Sequence, residues 1–165
     1  MTKKSALAAV TYYQRDEIVV AGWRNIGFVH WGAQATLSSV RKMGAMSAAL
    51  MKAHTKISII QVIPDSAPLP TDDAKDLLLK MTEAGGHALA CLVYVMSGEG
   101  FWASAMRSYL TNVHWVHHRP FVPRIVATIA EAASWLPSIH RERTGVDVSA
   151  EELLEVLTEC MSAKR

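Results

Sequence analysis

Apolar and polar positions alternate along this chain between short continuous apolar runs and longer stretches of helical period. The clearest run covers residues 57–63, where Ile57, Ile59, Ile60, Val62 and Ile63 crowd together. A β-branched run of that length predicts a strand buried on both faces in the middle of a sheet. Residues 87–96 give a second run of the same kind. Upstream, residues 17–23 and 26–31 flank Arg24 and Asn25, a separation that suits a tight hairpin. Trp23, Phe28, His30 and Trp31 would then place aromatic groups on both faces of that hairpin. Residues 124–128 read as a short last strand, and Pro120 and Pro123 before it indicate an edge position or a late start.

Between these runs the period is 3.6. Residues 36–54 carry one stripe of Leu37, Val40, Gly44, Ala48 and Met51 and a second of Met43, Met46 and Leu50, which leaves a wide buried face and a Met-rich partner surface as alternatives. Thr71 reads as an N-cap, with Asp72 and Asp73 in the first turn where the helix dipole favours negative charge. Ala74, Leu77, Leu78 and Met81 follow at i, i+3, i+4 and i+7, a face expected to fix the helix on the sheet until Gly85 and Gly86 stop it. Residues 101–117 read as a helix whose buried stripe the periodicity leaves open, with Trp102, Met106, Tyr109, Val113 and Val116 in register and Phe101 and Ala105 beside them. Thr128 and Glu131 make a capping box, Pro137 should end or kink that helix, and residues 140–147 read as a polar link. Ser149 and Glu152 repeat the box before a last helix with Leu153, Leu154, Leu157, Cys160 and Met161 on its apolar side.

Strands separated by helices imply crossover connections. The expected fold is therefore α/β, with a mixed, partly parallel sheet of about five strands, an N-terminal antiparallel hairpin at its edge, helices packed on it and an extra C-terminal helix. Residues 1–11 read as a loosely held arm, 12–138 as the α/β domain, and 139–165 as a link and amphipathic helix.

With 165 residues, half of them apolar and 19% charged, the chain can bury a core without staples. A net charge of +2 without a Lys/Arg stripe argues against nucleic acid. No segment approaches the ~18 apolar residues of a membrane insertion, and the N-terminal apolar run, about five residues, is shorter than a signal-peptide core. Cys91 and Cys160 both fall on apolar stretches, which favours buried thiols in a reducing, cytoplasmic compartment.

In open α/β folds the crevice beyond the carboxyl end of a central strand is the usual place for a ligand or partner. This makes Asp65, Ser66 and the loop to Pro70 the first candidates, with Thr71 and Asp72 behind them. A second group, Ser97, Gly98 and Gly100, could offer backbone N–H groups to an anion, with Arg107 as its counter-charge. His114, His117 and His118 have metal-compatible helical spacings, although no Cys or acidic residue stands close in sequence to complete a tetrahedron. Neither a G-x-S-x-G elbow nor a G-x-G-x-x-G loop is present, so no catalytic set and no cofactor are expected.

The order of the hairpin EIVVAGWRNIGFVHW, the strand ISIIQVI, the strand ALACLVYVM, the helix after Gly100 and the closing VPRIVATIAEAASWL resembles the STAS domain, the fold of bacterial anti-sigma-factor antagonists. In the regulatory members of that family a strand ends in Asp-x-Ser-Ser-Gly, whose serine is phosphorylated to switch partner binding. Here the segment reads Pro64-Asp65-Ser66-Ala67-Pro68, with Ser66 the nearest equivalent and Thr71 second. The resemblance implies a non-enzymatic protein-interaction module in bacterial signalling or regulation, its partner another protein met through Asp65, Ser66, Thr71, Asp72 or the stripe of Met43, Met46 and Leu50. Two alternatives stand beside it: a metal or small-ligand binding protein or enzyme using the histidine cluster, and a structural homodimer or larger homo-oligomer formed through the aromatic hairpin or the last helix.

Overall fold

The computed structural model describes residues 9–114 and 119–162. Its centre is a sheet of six strands in sequential order: β1 (Val10–Arg15), β2 (Ile18–Trp23), β3 (Ile26–Trp31), β4 (Ile57–Val62), β5 (Leu89–Val95) and β6 (Val122–Val126). The first three strands pair antiparallel and the rest parallel, so the sheet is mixed as expected. It has one strand more than the pattern indicated. Strand β1 covers the edge of β2, and Val10 and Thr11, read with the N-terminal arm, are part of it. It escapes notice because it is almost wholly exposed and carries no apolar alternation. The hairpin β2–β3 consequently lies inside the sheet, and β2 is buried along its whole length.

Strand β4 runs mid-sheet between β3 and β5 with all six residues buried. Three parallel crossovers step in one direction, through α1 (Leu37–Ala53), α2 (Asp72–Gly85) and α3 (Phe101–His114). Such connections share one hand, which places their helices on the same face. The core on that face joins Val40, Met43, Met46 and Leu50 to Val29, Ile57, Ile59 and Leu92. The opposite face is covered by α4 (Ile129–Thr144) and α5 (Ala150–Ser162), whose Ala132, Leu136, Leu153, Val156 and Leu157 meet Phe28, Ile60 and Val93. The result is a three-layer sandwich.

The two stripes on α1 resolve in favour of the methionines as core. Met46 is fully buried, and Met43 and Leu50 nearly so, which removes them as a partner surface. Overlapping stripes at 3.6 period cannot be ranked by spacing, because the face that wins is set by what the sheet offers beneath it. Here the sheet offers glycine: a Cβ on Gly27 would stand 2.6 Å from Met46 Sδ.

On the other face, Pro137 does not end its helix. Helix α4 continues to Thr144 and stops at Gly145, which is left-handed at φ 76° and donates its N–H to Arg141 O. The stretch read as a polar link from residue 140 is therefore helical at first, and His140 is fully buried. Helix α5 begins with both arms of its capping box made, Glu152 N donating to Ser149 Oγ and Ser149 N to Glu152 Oε2. Cys91 and Cys160 are free, buried thiols that burial pushes up to about 11. Among the described residues no helix is long and apolar enough to cross a membrane.

Candidate functional site

Because β3, β4 and β5 are parallel neighbours, the loops leaving them come out at the same edge of the sheet. Those loops are joined to one another. Thr71 N donates to Ala35 O, and Gln34 Nε2 to Leu69 O at 2.7 Å, tying the loop after β4 to the loop after β3. On the other side Ser97 Oγ donates to Asp65 Oδ1 at 2.9 Å. Gly98 packs so tightly there that a Cβ would lie 2.6 Å from Asp65 Cβ. Asp65 and Ser97, which the sequence places in separate groups, thus belong to one rim.

That arrangement changes what the rim can bind. The hydroxyl of Ser97 is engaged by a carboxylate, and Arg107 donates to Gly98 O at 2.7 Å and Met96 O at 3.4 Å, bracing its own loop. An anion at Ser97, Gly98 and Gly100 would face the Asp65 charge and find Arg107 Nη2 turned to its own loop, an arrangement that disfavours the expected anion site. Ser66 is exposed, but α2 starts only at Asp72, beyond Pro68 and Pro70. It is not at a helix N-terminus. Thr71 does hold the N-cap position, yet its hydroxyl donates to Asp73 Oδ1 rather than capping, and Asp73 accepts from Ala74 N instead.

Two aromatic side chains escaped the sequence analysis as rim residues. Phe101 and Trp102 open α3 directly after Gly100; Phe101 is 76% exposed and Trp102 45%, and their rings meet edge to face at 5.1 Å. The helix buries Ala103, Met106, Leu110 and His114 instead. With two overlapping apolar stripes on one helix, composition gives no sign of which one faces outward.

Beneath the rim a cavity separates the sheet from α2 and α3, with about 100 Å³ available to the centres of water-sized molecules. It exists because α2 stands off the sheet. Ala74 is its one buried residue, while Leu77, Leu78 and Met81, expected to clamp it down, are only half-buried. Two buried polar pairs line the space. Trp31 Nε1 donates to Gln61 Oε1 at 2.9 Å, and Tyr94 Oη lies 2.7 Å from His114 Nε2. Burial holds His114 neutral, its pKa lowered to about 4 with Arg119 adding to the effect, and drives the Tyr94 phenol far above its ordinary value.

His114 is therefore a cavity-lining side chain bonded to Tyr94, while His117 and His118 lie outside the described residues. His30 shares the Phe28 face by strand alternation and so is across the sheet from His114. Among the described residues no group of three His, Cys, Asp or Glu side chains is placed to hold a metal ion. Compared with known proteins, the chain matches no family model and no curated sequence.

Proposed function

We propose that the chain is a non-enzymatic, STAS-like interaction module of bacterial signalling or regulation, and that its partner is another protein seated on the rim beyond β4 and β5. The observation that carries this reading is the exposed pair Phe101 and Trp102 beside the joined loops of Asp65 and Ser97. Large aromatic side chains are enriched in the cores of protein interfaces and costly to leave in water. Asp65 and Glu99 flank them, so the partner surface is an apolar pocket edged by basic residues. The loops are braced by hydrogen bonds, which limits the ordering cost of binding. Two buried free thiols fit a reducing cytoplasm. The buried Trp23 and Trp31 give no support to a homodimer built on the aromatic hairpin.

A photo-crosslinking residue placed at Trp102 in the native host tests the proposal, with Leu154 on α5 as the exposed control. The expected result is covalent capture of one protein from position 102, lost on Phe101→Asp. Equal labelling from both positions would overturn it.

A further inference from the structure

Four of the residues around the cavity under α2 and α3 are methionines: Met43, Met51, Met81 and Met106. Unbranched, polarisable side chains adapt to what they surround, and large half-buried groups on both helices, Leu78 and Tyr109 among them, give solvent a route inward. One water needs about 10–15 Å³ of occupied space, so the cavity corresponds to a body of roughly seven to ten non-hydrogen atoms. An apolar space of that size inside a close-packed domain is unusual and is the common form of a small-molecule site.

Its polar content is narrow and directional. Tryptophan can only donate, so the oxygen of Gln61 must face Trp31, which turns Nε2 away from that bond. Gln61 is 5% exposed, and among the described residues its Nε2 makes no hydrogen bond, yet it is not one of the fully enclosed atoms without a partner, so it opens onto the cavity. A donor that opens onto an apolar space is best matched by an acceptor within it. Among the described residues no Lys, Arg, Asp or Glu lines the cavity. A charged ligand would lose its hydration there with nothing in exchange.

We infer that the cavity between the sheet and helices α2 and α3 is a binding site for an uncharged, largely apolar molecule of roughly seven to ten non-hydrogen atoms whose carbonyl-type oxygen accepts from Gln61 Nε2. The cavity lies under the rim and shares Ala35, Ala67, Pro68 and Pro70 with its loops, but its occupation does not require the partner proposed above.

The test uses three probes of similar size: acetophenone, which has the acceptor; ethylbenzene, which lacks it; and benzoate, which carries a charge. Binding is read from the methionine methyl resonances of the full chain. Acetophenone is expected to shift Met43, Met51, Met81 and Met106 saturably while Met161 on the far face stays still. Ethylbenzene should bind at least fivefold more weakly and benzoate not at all. Gln61→Met should abolish the preference for acetophenone over ethylbenzene. Because that change also unpairs Trp31, Leu78→Trp, made from the half-buried side, provides a second variant that should block both neutral probes with the fold retained by circular dichroism. Failure of acetophenone to saturate, equal shifts at Met161, or unchanged binding in a folded Leu78→Trp protein would overturn the inference.

Discussion

His140 Nε2 lies 2.9 Å from Asn25 Oδ1, joining the middle of α4 to the turn of a hairpin 115 residues earlier in the chain. The protons of this contact follow from its neighbours. Asn25 Nδ2 donates to Lys56 O at 3.0 Å, so Oδ1 is the acceptor and His140 carries its proton on Nε2. Nδ1 is then free to accept from Ser58 Oγ, 2.8 Å away on β4. The side chains of Asn25, Ser58 and His140 are all buried and each of these bonds is made, which ties α4 to β4 and to the β2–β3 turn. His140→Ala leaves two buried polar groups unpaired and a hole beside them. A loss of about 3 kcal/mol is expected in urea denaturation, against a fraction of that for the exposed His87.

Acid should unfold this protein early. Burial lowers the pKa of both His114 and His140 to about 4, whereas the unfolded chain titrates near 6.5. Between those values the unfolded state binds more protons, so the stabilisation is complete above pH 6.5 and is lost as pH falls toward 4. Each histidine contributes roughly 3 kcal/mol to that loss. Denaturation midpoints measured from pH 7 to 4 should fall continuously, and replacing His140 by Gln should reduce the slope by about one proton.

Gly27→Ala should cost about 1–2 kcal/mol, since the new methyl meets Met46 Sδ at 2.6 Å and the end of that fully buried side chain must shift within the core. A compensating Met46→Leu or Met46→Val change, which shortens the side chain above it, is expected to recover part of the loss in the thermal midpoint.

The helix caps separate cleanly. Ser149→Ala removes a hydroxyl that accepts from Glu152 N and should cost about 1 kcal/mol. Thr71→Ala should cost a few tenths, because the Thr71 hydroxyl bonds Asp73 and leaves the helix donors alone. Parallel denaturation curves of the two variants check the difference.

Strand β4, strand β5 and the existence of all five helices were legible in the chain, because a continuous β-branched run and a 3.6 period each report a local choice of backbone. The capping pair Ser149 and Glu152 was legible for the same reason: both partners lie within one turn. Strand β1 was not, since an exposed edge strand is held by pairing to β2 and needs no apolar alternation of its own. Nor was the passage of α4 through Pro137 and the burial of His140, which depend on Asn25 and Ser58 arriving from distant parts of the sequence.

For the candidate site the division is similar. The location of Asp65 and Ser66 at the end of a central strand followed from the sequence through strand order alone. What the rim contains did not: Asp65 meets Ser97 only because β4 and β5 are parallel neighbours, and Phe101 and Trp102 face outward only because Met106 and Leu110 found the core first. Local energetics, which depend on a residue and its near neighbours along the chain, were written in the order of the amino acids. Which of two apolar stripes is buried, which donor is already taken and where α2 leaves a gap are decided by distant groups competing for the same space, and only the packed structure holds that outcome.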